Sequence, residues 1–143
     1  MPGFELSEFI PRSSQEVFYF ISASENAPKV VPSVTSMVKL TEGPIRVGTR
    51  YRETRLMKGQ EHQTELEIVE YESVQKYAMK NDTDGIETVY QYTFHPEENG
   101  TRVDLVCEVK GIGAKKLIVP VVVSVLKKED GNHLQRLKQA LEG

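Results

Sequence analysis

Apolar and polar positions alternate over most of the chain between Val34 and Lys110, and recur at three- and four-residue spacing before and after that stretch. Phe4 to Ile10 reads as a first strand, broken by Pro11-Arg12-Ser13-Ser14. Ser13 or Ser14 can cap a short helix, with Gln15 and Glu16 in its first turn and Val17, Phe18, Phe20 and Ile21 on its apolar face. Ser22 to Pro32 holds Asn26, Pro28 and Pro32, so it predicts a broken or very short second helix. Six strands follow at period two: Val34–Leu40, Gly48–Met57, Glu61–Tyr71, Lys76–Asn81, Ile86–His95 and Thr101–Lys110. Short turns separate most of them, Lys58-Gly59-Gln60 and Glu97-Glu98-Asn99-Gly100 among them, and strands joined that way pair antiparallel.

The last thirty residues behave differently. Leu117 to Leu126 is almost wholly apolar. From Val122 to Leu141 the positions Val122, Val123, Leu126, Leu134, Leu137 and Leu141 keep helical spacing. A helix from Pro120 to the end is about 35 Å long at about 1.5 Å per residue, enough to cross a small sheet. Proline inside a helix removes a hydrogen bond and costs about 3 kcal/mol, so the regular helix is expected to start near Pro120 or bend there. That would leave Leu117 to Val119 free to act as a gate. The first half is apolar nearly all round, so it should meet apolar surface on more than one side. The expectation is a cavity beneath it.

Alternation assigns each strand an inner face. Leu66 and Ile68 share one, as do Tyr77 and Met79, Tyr90, Tyr92 and Phe94, and Val103, Leu105, Cys107 and Val109. The strand Gly48–Met57 is the exception, since neither parity is cleanly apolar. The favoured parity turns Tyr51, Glu53 and Arg55 inward, where the two charges can pair; the other leaves both charges in water.

Composition narrows the function. With 143 residues the chain suits one domain with a sizeable core, residues 1–143. The net charge is −3 and the basic residues are dispersed, so no nucleic-acid footprint is expected. The single cysteine, Cys107, excludes an internal disulfide framework and agrees with a reducing compartment. No basic, apolar leader opens the chain and the longest apolar run is half a membrane span, so the protein is expected to be soluble and cytoplasmic, with no integral membrane segment.

Metal and nucleophile chemistry find little support. His62, His95 and His133 have no metal-ligand spacing, and Cys107 cannot complete a zinc site, so no metal or other cofactor is expected. His62 and His95 read as surface residues. His133 lies three residues after Asp130 on one helical side; the pair reads as a solvated helix flank in preference to an acid/base pair at a cavity mouth. Cys107 reads as a small core hydrophobe. No Gly-x-Gly-x-x-Gly, phosphate loop or nucleophile elbow is present.

The order of elements, together with Val47-Gly48-Thr49-Arg50-Tyr51-Arg52, Glu67-Ile68-Val69-Glu70-Tyr71-Glu72 and Tyr92-Thr93-Phe94-His95-Pro96 running on to Val103, resembles the START-like and Bet v 1-like helix-grip superfamily, and within it the polyketide cyclase/dehydrase-like subset. The opening Ile10 to Phe18 and the closing Leu134-Gln135-Arg136-Leu137-Lys138 extend the likeness over nearly the whole chain. The resemblance implies an α+β helix-grip fold: a seven-stranded antiparallel curved sheet wrapped around a long C-terminal helix, with two short helices between strands 1 and 2. It also implies a cavity for a hydrophobic small molecule. This sequence departs from the family in lacking a tryptophan before the prolines of the second-helix region, and in placing Asp130 where the helical stripe calls for an apolar residue.

Two functions are expected from this reading. One is binding of a lipid, isoprenoid or aromatic polyketide-like molecule by Tyr51, Glu53, Arg55, Leu66, Ile68, Tyr77, Met79, Tyr90, Tyr92, Val103, Leu105, Cys107, Val122 and Leu126. The other is a metal-free cyclase or dehydratase in which Glu53 moves a proton and Arg55 polarises a carbonyl. A weaker third reading has Val119 to Leu126 meet a protein partner, as in a homodimer.

Overall fold

The computed structural model describes residues 2–142. Strand β1 (Gly3–Ile10) leads into helix α1 (Ser14–Ser22), a 3-10 turn (Ser24–Asn26) and helix α2 (Ala27–Val30). Strands β2 (Val34–Lys39), β3 (Arg50–Met57), β4 (Gln60–Glu72), β5 (Lys76–Thr83), β6 (Ile86–Glu97) and β7 (Gly100–Gly111) follow. A second 3-10 turn (Gly113–Ile118) then feeds helices α3 (Val119–Asp130) and α4 (His133–Glu142). The seven strands form one antiparallel sheet in the order β1-β7-β6-β5-β4-β3-β2. Consecutive strands β1 and β2 therefore lie at opposite edges, and α1 and α2 carry the chain between them.

Local chemistry explains the boundaries. Ser13 caps α1: its hydroxyl accepts from the Glu16 amide at 3.2 Å, and the Glu16 carboxylate accepts from the Ser13 amide. The β3–β4 turn needs two left-handed residues, Lys58 and Gly59, and the β5–β6 turn uses Asp84 and Gly85 in the same way. Register shifts between Ile68 and Glu70 in β4, and between Val34 and Ser36 in β2, mark bulges that bend their strands.

The C-terminal segment obeys the proline and then departs from expectation twice. Helix α3 begins at Val119 with Pro120 in its first turn, where the missing amide hydrogen costs nothing. The expected single helix is divided at Gly131-Asn132, and the Asn132 carbonyl accepts from Arg136 as the second segment starts. The first half is not covered on several sides either. Val119 is buried, but Leu117, Ile118, Val121 and Val125 are exposed.

Packing is uneven. One core joins Ile10, Val17, Phe18, Ile68, Val103 and Leu105 to Leu134 and Leu137 of α4. Within it Phe18 meets Phe94 and Tyr71 edge-on, at 5.3 and 5.4 Å between ring centroids. A smaller core joins Phe4, Cys107, Val109 and Val119, with Val122, Val123 and Leu126 of α3 against it. Both C-terminal helices thus pack on the β1–β7 side of the sheet. The inner face of β3, β4 and β5 opposite them is left partly open.

Candidate functional site

That open space is a cavity of about 250 Å³. Its walls are mostly apolar: Val30 and Val31 at the end of α2, Val34 and Met37 of β2, Leu66 and Met79 of the central strands, and Leu126 of α3. Exposed His62 and Val125 mark where it meets solvent.

β3 supplies the polar side. Its alternation turns Tyr51, Glu53 and Arg55 into the cavity. The Arg55 side chain is 14% exposed and donates from Nε to Glu53 Oε1 at 2.8 Å and from Nη1 to Asp130 Oδ1 at 3.2 Å. The other oxygen of Asp130 accepts from the Tyr90 hydroxyl at 2.6 Å. Asp130 is 1% exposed. A carboxylate buried that deeply is tenable because a guanidinium and a phenol satisfy both its oxygens. Burial alone would weaken the charge on Arg55, but Glu53 and Asp130 hold its pKa above the ordinary value. Burial, and then the neighbouring Asp130, push Tyr90 well up, so its hydroxyl keeps its proton and donates.

A second polar link lies beside the first. The Tyr92 hydroxyl and His133 Nε2 are 2.6 Å apart. Burial raises the pKa of Tyr92 and lowers that of His133 to about 4, so both are neutral near pH 7. A neutral pair has two arrangements: Nε2–H donates to the phenol oxygen, or the phenol donates to Nε2 and the ring hydrogen sits on Nδ1. That Nδ1 is buried without a partner, and so is the Tyr51 hydroxyl. Both atoms belong to residues on the cavity wall, but neither atom is itself open to the hollow.

Of the residues expected to bind a ligand, Tyr51, Glu53, Arg55, Leu66, Tyr77, Met79, Tyr90, Tyr92 and Leu126 line this cavity. Ile68, Val103, Leu105, Cys107 and Val122 do not: the first three are in the larger core, and Cys107 and Val122 pack with Phe4 and Val119. Ile68, Val103, Leu105 and Cys107 share the sheet's inner face with the cavity residues, and Val122 is on α3, but all five are taken up by packing within the two cores. Burial pushes the Cys107 thiol up to about 12, so it is no nucleophile at neutral pH. Leu117 and Ile118 are exposed and off the cavity wall, which removes the gate expected there.

The largest correction concerns His133. It is no solvated flank: its ring nitrogens are shut away and its partner is Tyr92, while Asp130 bonds to Arg55 and Tyr90. The signal available in the sequence was Asp130 itself, a charge interrupting an apolar stripe. Among the described residues no group of three or more histidine, cysteine or acidic side chains is arranged to hold a metal. No described helix is long and apolar enough to cross a membrane.

Comparison with known proteins places this architecture. No curated protein matches the chain in sequence. Solved structures match it in fold. Ara h 8.0201 superposes with a TM-score of 0.76 at 17% identity, covering 98% of this chain and 97% of that one. The di-domain ARO/CYC BexL from the BE-7585A biosynthetic pathway gives 0.81 at 15% identity; 99% of this chain is covered, spanning about half (47%) of that protein. TTHA0849 from Thermus thermophilus gives 0.74 at 18% identity over 94% of this chain and 93% of that one. The family described as polyketide cyclase / dehydrase and lipid transport matches residues 1–142. The chain belongs to that family, within the START-like and Bet v 1-like helix-grip superfamily.

Proposed function

We propose that the chain binds a hydrophobic small molecule, of the lipid, isoprenoid or aromatic polyketide-like kind, between the sheet and the C-terminal helices. The observation that carries this reading is the hollow itself: apolar walls around a few convergent polar groups, in a molecule whose other half is closely packed. A volume of about 250 Å³ is below the roughly 300–1,000 Å³ of drug-sized sites and above the roughly 150 Å³ that admits benzene. It suits a fused two-ring aromatic or a short isoprenoid; a longer chain would protrude past His62 and Val125.

The polar groups specify more. Arg55 is on the cavity wall with its Nη2 making no hydrogen bond to a described residue, which favours a ligand carrying a carbonyl or hydroxyl oxygen. Native mass spectrometry of freshly purified protein, followed by titration with a naphthol or naphthoquinone probe, tests the reading. Binding of one molecule per chain, lost in Met79→Trp, is the expected result. A Met79→Trp protein that binds as well as the parent would remove the cavity as the site.

The second reading is a cyclase or dehydratase-type enzyme with Glu53 as proton carrier and Arg55 as carbonyl polariser. Its support is that both groups face the cavity and that Arg55 Nη2 makes no hydrogen bond to a described residue, which leaves its two N–H donors for a substrate oxygen. Against it, Arg55 is already neutralised by two carboxylates. Glu53→Gln and Arg55→Met separate the readings: a binder keeps most of its affinity for the apolar probe, whereas an enzyme loses turnover of a poly-β-ketone substrate.

A further inference from the structure

The entry to α3 presents aliphatic side chains to solvent. Leu117 is 84% exposed, Val121 63%, Val125 50%, and Ile112 just before them 69%. Val121 and Val125 are one turn apart on α3 and share a side, and Leu117 is exposed on the 3-10 turn just before it, so the three make an aliphatic ridge at the start of the helix. Isolated exposed aliphatics need no explanation, but a row of them does.

The charge around the ridge is one-sided. From Val109 to Leu126 and on to Lys128 there are five lysines, Lys110, Lys115, Lys116, Lys127 and Lys128, and no aspartate or glutamate, in a chain whose net charge is −3. All five are exposed, and among the described residues none forms an ion pair. Lys110 faces Glu87 across the β6–β7 pair and Lys115 lies against the β5–β6 turn at Gly85, so Lys116, Lys127 and Lys128 are the cations that matter most here.

We infer that this ridge docks on an anionic lipid bilayer, with Leu117 and Val121 entering the headgroup–acyl boundary and the flanking lysines meeting lipid phosphates. Aliphatics flanked by lysine are the composition of an interfacial helix. A second copy of the chain is the poorer occupant, since a two-fold contact through the ridge would bring the lysines of both copies together. A protruding ridge also fits a fluid surface without needing a matching groove.

Val125 links this surface to the cavity, because it belongs to the ridge and also lines the hollow. Docking would therefore bring the cavity's edge to the bilayer, letting an apolar ligand pass without crossing bulk water; this consequence rests on the ligand-binding reading, whereas the docking itself does not.

Flotation with vesicles of phosphatidylcholine, alone or with about 30 mol % phosphatidylglycerol, tests the docking on the full chain with no cavity ligand added. Binding is expected only with the anionic lipid, falling about tenfold or more in about 0.5 M salt. Leu117→Ser/Val121→Ser and Lys116→Glu/Lys128→Glu should each lower it about tenfold, at an unchanged melting temperature, since none of the four residues touches the cavity or a core. Absence of binding to either vesicle overturns the inference, and so does binding that neither variant weakens. A dimer that dissociates in Leu117→Ser/Val121→Ser would likewise overturn it and assign the ridge to a second copy. Met79→Trp, which blocks the cavity, should leave flotation intact, so the two proposals fail separately.

Discussion

Leu105 on β7 and Leu66 on β4 are the same side chain on the same face of one sheet, and both are buried. Leu105 is covered by protein and belongs to the larger core; Leu66 borders the cavity. Around Leu105 the helices meet the sheet through apolar contact. Across the hollow they reach it through two polar links, Asp130 to Arg55 and Tyr90, and His133 to Tyr92. Packing is thus replaced by hydrogen bonds wherever a space is kept. A hydrogen bond can span a gap at a defined length, whereas apolar side chains cohere only by filling it.

Breaking the first link should have the largest effect. Asp130→Ala leaves Arg55 with Glu53 alone and strands the Tyr90 hydroxyl, and should cost about 3–5 kcal/mol in urea unfolding. Next comes the matched pair of leucines. Leu105→Ala opens a new void in close packing and should cost about 3–4 kcal/mol, against about 1–2 kcal/mol for Leu66→Ala, where a void already exists. Equal costs at the two sites would contradict the contrast between the halves.

The second link predicts a pH dependence. Burial, only partly offset by Asp130, lowers the pKa of His133 from 6.5 to about 4 in the folded chain. As pH falls, the unfolded chain takes up this proton first. The stability associated with the neutral ring is complete above about pH 6.5 and is lost as pH falls toward 4, by on the order of 2–3 kcal/mol. The slope between those values should flatten in His133→Phe when unfolding is followed by circular dichroism. The smallest effect is Tyr92→Phe, which removes one hydroxyl and leaves His133 Nε2 without its partner, for about 1–2 kcal/mol.

Much of this architecture was legible in the residues. Alternation located the strands, Pro120 located the start of α3, and the capping serine located α1. The inward parity of Tyr51, Glu53 and Arg55 followed from the bulk of the tyrosine. Two things were hidden, for a common reason. Alternation says which face a side chain takes but not what stands opposite, so Val103 and Leu105 in the solid core looked the same as Leu66 and Met79 on the cavity wall. Helical periodicity likewise told nothing of the partners awaiting Asp130 and His133, because Arg55, Tyr90 and Tyr92 lie about 40 to 75 residues away in the chain. The break at Gly131-Asn132 carried a cue, since glycine is the weakest helix former after proline, but the apolar spacing continues across it and masked it.

The strand order has a consequence for how the chain assembles. Gly3 pairs with Glu108, and among the described residues β1 pairs with no strand but β7, so β1 has nothing to bind until β7 exists. Closing a loop of that span adds an entropic barrier that local hairpins avoid. Hydrogen-exchange pulse labelling during refolding should find the β3–β4 and β6–β7 amides protected early and those of β1 last. During synthesis β1 would stay a bare, half-apolar ribbon until β7 emerges, and the exposure of the chain to clumping would be decided in that interval.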